Sequence, residues 1–168
     1  MAQLLFFYFG GVIVGTATLV VTLRNPIYSA ISLLVTFFHV AGLFVLLNAE
    51  FIAAVQVLVY AGAILVLYLF VVMLLNLRRE ERYHRQSLVG VLLGVVILSE
   101  LALIVSRSTF QSAIGPFTPA ALQAVGNTEA VGRALFTTYL LPFEVASLIL
   151  LVAMIGAIIL SKKGVFNG

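Results

Sequence analysis

The sequence contains no cysteine, and Asp, Glu, Lys and Arg together make up only 9% of it. Without cysteine the chain forms no disulfide, holds no metal through thiolates and ligates no iron–sulfur cluster. Histidine is almost as scarce: only His39 and His84 occur, and His84 lies in a charged stretch, which argues against a haem held by paired histidines. No nucleotide, metal or redox motif is visible. No internal repeat is visible either, which counts against an inverted-repeat transporter. The net charge of +3 does not point to a nucleic-acid partner, because the charges fall between the apolar runs, where they set membrane topology instead.

What fills the chain is apolar. Hydrophobic residues make up 63% of its 168 residues, the composition of a single-domain, all-α integral membrane protein embedded in a lipid bilayer. The apolar runs predict a bundle of five transmembrane helices: Leu4 to Leu23, Ile27 to Leu47, Phe51 to Leu77, Leu88 to Ser106 and Leu140 to Leu160. Arg24, Arg78, Arg79, Arg82, Arg85, Lys162 and Lys163 then fall on one side, with only Arg107 and Arg133 on the other. Basic residues favour the cytoplasm, so the N-terminus is expected outside and the C-terminus inside. The first helix lacks a basic leader and is longer than the apolar core of a signal sequence, so it is expected to be retained. The segment 107–139 is the one substantial extramembrane stretch. It is expected on the outside, lying along a partner's surface or packed on itself.

The third run is the most informative. Its 27 residues from Phe51 to Leu77 would reach about 40 Å as a regular helix, against a hydrocarbon core of about 30 Å. The helix must therefore tilt strongly, kink or take up residues in a wide turn. The polar, glycine-containing stretch around Gln56, Tyr60 and Gly62 is the place for such a turn, and single wide turns favour functional sites.

Polar groups elsewhere carry two readings each. Asn25 and Pro26 suit the cap and first position of the second helix. Along that helix Ser29, Ser32, Thr36 and His39 form one polar stripe. The hydroxyls either satisfy carbonyls of their own helix, with His39 a donor between helices, or the stripe lines a hydrated path in which His39 changes charge. Glu50 sits at the water-accessible end of the third helix. Glu100 lies near the middle of the fourth, where a charge is costly, with Arg107 as its candidate partner through water. Glu144 follows Pro142, and a helix beginning at that proline would place the carboxylate on free N-terminal amides. Gln56 and Tyr60, four apart, are expected to share a face near the bilayer centre. Gly11 with Gly15, Gly90 with Gly94, and Ala153 with Ala157 have the spacing of close helix contacts, as in a chain built to pack inside a larger assembly.

Two blocks carry a resemblance. AEFIAAVQVLVYAGAILVLYLFVVMLLNL resembles the third membrane helix of chain J of bacterial NADH-quinone oxidoreductase, the counterpart of mitochondrial complex I subunit 6. LFTTYLLPFEVASLILLVAMIGAIIL, Leu135 to Leu160, resembles the last helix of that family, and RNP at Arg24 to Pro26 resembles its first cytoplasmic turn. The resemblance implies a coupling subunit in the bacterial inner membrane that links quinone reduction to proton pumping. Flavin and iron–sulfur clusters would then belong to partner subunits, and this chain would bind no cofactor. The implied partners are the other membrane subunits of complex I: the quinone-site H subunit, the small A and K subunits and the antiporter-like N subunit. In the family the third helix is thought to change between bulged and regular forms, which marks Tyr60, Ala61, Gly62 and Ala63 as the coupling segment. A carboxylate in the LPFEVAS context makes Glu144 a proton-path candidate beside Glu50, Glu100, His39 and Gln56. Some family members have Glu where this chain has Gln56, so a protonatable group there does not carry over. A chain J-like module of a multi-subunit cation/proton antiporter and a purely structural scaffold are the other readings open at this point.

Overall fold

The computed structural model describes residues 1–75, 87–107 and 124–162. The basic cluster Arg78, Arg79, Arg82 and Arg85, together with His84, Lys163 and the first part of the expected outer loop, lies outside the described residues. Among the described residues all regular structure is helical: α1 (Ala2–Thr22), α2 (Pro26–Leu46), α3 (Glu50–Leu74), α4 (Ser87–Arg107), α5 (Asn127–Phe136) and α6 (Leu140–Ser161). Every one of these except α5 is long and apolar enough to cross a membrane. α3 ends at Leu74 with Leu75 as its cap, short of the expected Leu77.

Local chemistry sets the turns. Asn25 precedes a proline, which pushes it to extended φ/ψ (−85°, 116°), and its Oδ1 accepts the Ile27 N–H at 2.9 Å. Pro26 then starts α2, where a missing N–H leaves nothing unpaired. At the other end of α2, Asn48 takes the left-handed conformation (φ 55°). Its N–H donates to the Val45 carbonyl at 3.0 Å while the Ala49 N–H reaches back to Phe44 at 2.9 Å. This is the helix-ending motif in which a left-handed residue satisfies the last carbonyls, with asparagine in the usual place of glycine.

α2 is the centre of the packing, with α1 on one side and α3 on the other. The buried apolar residues of α2 and α3 are mostly small (Ala30, Ala41, Ala53, Ala61), with Leu65 and Val72 beside them. Small side chains let two backbones approach where no hydrophobic driving force separates protein from lipid. Against α1, Gly42 takes the ring of Phe9: a Cβ at Gly42 would stand 2.8 Å from its Cε1 and Cζ. The glycine pairs singled out for close contact do not serve that purpose among the described residues, where a Cβ at Gly11, Gly15, Gly90 or Gly94 would meet nothing within 4 Å. Among the described residues α4 touches no other helix and α6 touches only α5.

The helix α5 falls in the stretch expected to be a loop. Its N-cap, Gly126, has φ 87° and ψ 145°, a conformation open to glycine and strained for other residues. Glu129 in its first turn and Arg133 in its last form an ion pair at 2.6 Å. α5 contacts both α3 and α6, and Phe136 meets Phe143 edge-on at 5.0 Å.

Candidate functional site

α3 is not one regular helix. Glu50–Val55 and Leu65–Leu74 are α-helical, and the 9 residues Gln56–Ile64 between them are π-helical. The Leu65 N–H donates to the Tyr60 carbonyl, five positions back instead of four. Tyr60, Ala61, Gly62 and Ala63 all lie within these wide turns.

The wide turns change which side chains share a face. Gln56 is 9% exposed and Ala61 2%, whereas Tyr60 is 47% exposed. Gln56 and Tyr60 therefore differ in burial, and the second buried position of the segment is Ala61, five residues on. The expectation assumed the four-residue repeat of an α-helix, while a π-turn brings round the fifth residue. Tyr60 still reaches α2, meeting Phe37 edge-on with ring centroids 6.0 Å apart. Gly62 is exposed, and the nearest atom to a Cβ built there is the Val57 carbonyl oxygen of its own helix at 3.3 Å. The glycine thus relates to the wide turn itself and not to a neighbouring helix.

The polar stripe of α2 is turned largely to internal bonds. The Ser29 hydroxyl donates to the Val20 carbonyl of α1 at 2.6 Å, and the Thr36 and Thr16 hydroxyls join the two helices at 2.8 Å. The Ser32 hydroxyl donates to the Tyr28 carbonyl at 3.0 Å. His39 Nδ1 lies 2.7 Å from the Val35 carbonyl, which only accepts, so that nitrogen carries the proton. Among the described residues the imidazole bonds within its own helix. Its ring packs at 5.9 Å from those of both Tyr8 and Phe9.

The carboxylates are spread apart. Glu50 is exposed in the first turn of α3, where the helix dipole favours it. Glu100 is exposed on α4, and no ion pair joins it to Arg107 among the described residues. Glu144 is exposed as well, and α6 begins at Leu140, ahead of Pro142. That moves Glu144 out of the first turn, beyond the free amides and the reach of the dipole. The structure buries Gln56 and brings Tyr60 to Phe37 of α2. It does not gather Glu50, Glu100, Glu144 or His39 around them. No group of three or more His, Cys, Asp or Glu that could hold a metal occurs among the described residues. Phe37, Thr16 and Asn127 are contact residues that the sequence did not single out. Asn127, followed by an acidic first turn, was the one with a readable helix-start signal.

The chain matches the family model of NADH-ubiquinone/plastoquinone oxidoreductase chain 6 over residues 16–160. It belongs to this family. It is similar to NADH-quinone oxidoreductase subunit J of Rhodobacter capsulatus, at 41% identity over 94% of this chain and 80% of that one. It is also similar to NAD(P)H-quinone oxidoreductase chain 6 of Synechocystis, at 43% identity over 90% of this chain and 76% of the relative. A third relative, NADH-ubiquinone oxidoreductase chain 6 of Prototheca wickerhamii, is 39% identical over 96% of this chain and 87% of its own length. Five apolar helices of spanning length fit a multi-pass membrane subunit of the complex I subunit J family.

Proposed function

We propose that this chain is the coupling subunit of a proton-translocating NADH:quinone oxidoreductase, and that the π-helical segment of α3 is its moving part. The observation that carries this reading is the run of wide turns from Gln56 to Ile64 in the middle of a membrane-spanning helix. Backbone groups in such turns are held less well than in an α-helix, in a medium that penalises unpaired groups, so a segment of this kind favours a second conformation. Conversion of a wide turn to regular helix removes one residue from the turn and rotates the rest of the helix by about 100°. Rotation of the Leu65–Leu74 half would open or close a water chain at the α2–α3 contact. NADH oxidation, flavin, iron–sulfur clusters and the quinone site belong, in this reading, to partners: the quinone-site H subunit, the small A and K subunits, the antiporter-like N subunit and the peripheral redox subunits. The complex sits in the bacterial inner membrane with the N-terminus of this chain outside.

Gly62→Val tests the reading. A β-branched side chain at this position presses on the Val57 carbonyl, 3.3 Å from the Cβ site, and stiffens the turn. Expected are an assembled complex with intact NADH-to-artificial-acceptor activity, and a joint fall in quinone reduction and proton pumping. Loss of every activity together with loss of the complex from the membrane would show the segment to be structural.

A further inference from the structure

The first turn of α3 is capped from a distance. Ala49 stands at its N-cap position and supplies no side-chain acceptor. The Phe51 N–H, one of the free amides of that turn, donates instead to Asn127 Oδ1 at 3.2 Å, across 76 positions of sequence. Asparagine is among the best capping residues because its carbonyl oxygen takes this type of amide. Here the cap belongs to another element. Asn127 is the first residue of α5, set by the glycine-type turn at Gly126, and α5 is in turn packed against α6.

Position makes this more than a cap. The π-helical turns begin at Gln56, directly after the capped segment Glu50–Val55. When a wide turn becomes regular, one half of the helix must rotate against the other, and the half held elsewhere is the one that stays. Both halves of α3 pack on α2, so apolar packing alone does not choose between them. The bond from Phe51 to Asn127 is directional, and it holds the Glu50–Val55 half.

We propose that Asn127 is a positioning residue that anchors the outer half of α3 through α5, so that a change in the π-helical segment turns the Leu65–Leu74 half. This rests on the switching role assigned to that segment. The test uses the whole complex in proteoliposomes, with deuterium exchange of the Glu50–Val55 amides and the ratio of protons pumped to NADH oxidised as separate readouts. Asn127→Ala is expected to raise exchange in that segment about fivefold, the ordinary effect of losing a cap, and to lower the ratio. Asn127→Asp keeps an acceptor and restores both. Asn127→Ala combined with Ala49→Asn supplies a local cap without the tie to α5: exchange returns to the wild-type level and the ratio stays low. The proposal is overturned if Asn127→Ala leaves exchange unchanged, or if the double variant regains the full ratio, including the case where Asn127→Ala alone fails to assemble. Exchange reads the anchor by itself and Gly62→Val reads the switch by itself, so failure of one is distinct from failure of the other.

Discussion

Gln56 and Ala61 are the two buried residues of the π-helical segment, and they stand five positions apart. The next buried residue, Leu65, comes after four, as an α-helix requires. The buried face of α3 thus stays on α2 only because the repeat lengthens once in the middle. In a regular helix the residue after Gln56 on that face would be Tyr60, now half exposed against Phe37. The choice between Ala61 and Tyr60 as the buried residue after Gln56 is the local difference between the two states proposed for this helix.

The α1–α2 contact gives the first prediction. Gly→Ala in a helix gains about 1 kcal/mol of propensity, while forcing a methyl into a filled site costs about 1–3 kcal/mol. At Gly42 the methyl would stand 2.8 Å from the Phe9 ring, which also rests against His39. Cost outweighs gain, and Gly42→Ala is expected to lower the melting temperature of the assembled complex. Gly11→Ala and Gly94→Ala meet nothing among the described residues. They are expected to leave the melting temperature unchanged, and a comparable fall would mean that their faces are covered in the assembled complex.

Much of the fold is legible in the residues themselves. Long apolar runs place the five spans to within a few residues, because in a bilayer every backbone group must be satisfied inside the segment and hydropathy then reads directly as helix. The Asn25–Pro26 start of α2 is readable for the same local reasons that make it work. α5 was not expected, although Asn127, Glu129 and Arg133 are ordinary start and stop signals. It is short and only weakly apolar as a whole, so it reads with the rest of 107–139 as extramembrane. The overlong third run signals that residues have to be absorbed, but not that the absorption makes Ala61, and not Tyr60, the next buried residue after Gln56. The pairing of Thr16 with Thr36 is out of reach, since nothing in two separate helices announces which hydroxyls meet.

Glu144 gives a prediction in which the structure reverses the simpler expectation. At the start of a helix the carboxylate would be explained by free amides, and Glu144→Gln would be silent because an amide oxygen accepts the same bonds. With α6 beginning at Leu140, that explanation no longer applies. An exposed carboxylate on a membrane helix tends to be kept for a partner or a proton path. Glu144→Gln is therefore expected to lower proton pumping in a complex that still assembles, measured as acidification per NADH oxidised in proteoliposomes. Unchanged pumping would remove Glu144 from the proton path.

Topology gives the last prediction. On the proposed five-span order the nine basic residues divide seven to two, and the positive-inside rule then predicts an N-terminus outside. The bond between Phe51 and Asn127 requires the start of α3 and the start of α5 to lie at the same end of the bundle, as the five-span order also demands. Which end that is can be read by labelling, because the chain has no cysteine of its own. Single cysteines at Gln86 and Gly168 are expected to react with an impermeant maleimide only in inside-out vesicles, and one at Thr138 only in right-side-out cells. Labelling of Gln86 from the outside would break the five-span order. The opposite pattern at all three sites would keep the spans and invert the chain, which would put the Asn127 anchor on the cytoplasmic face.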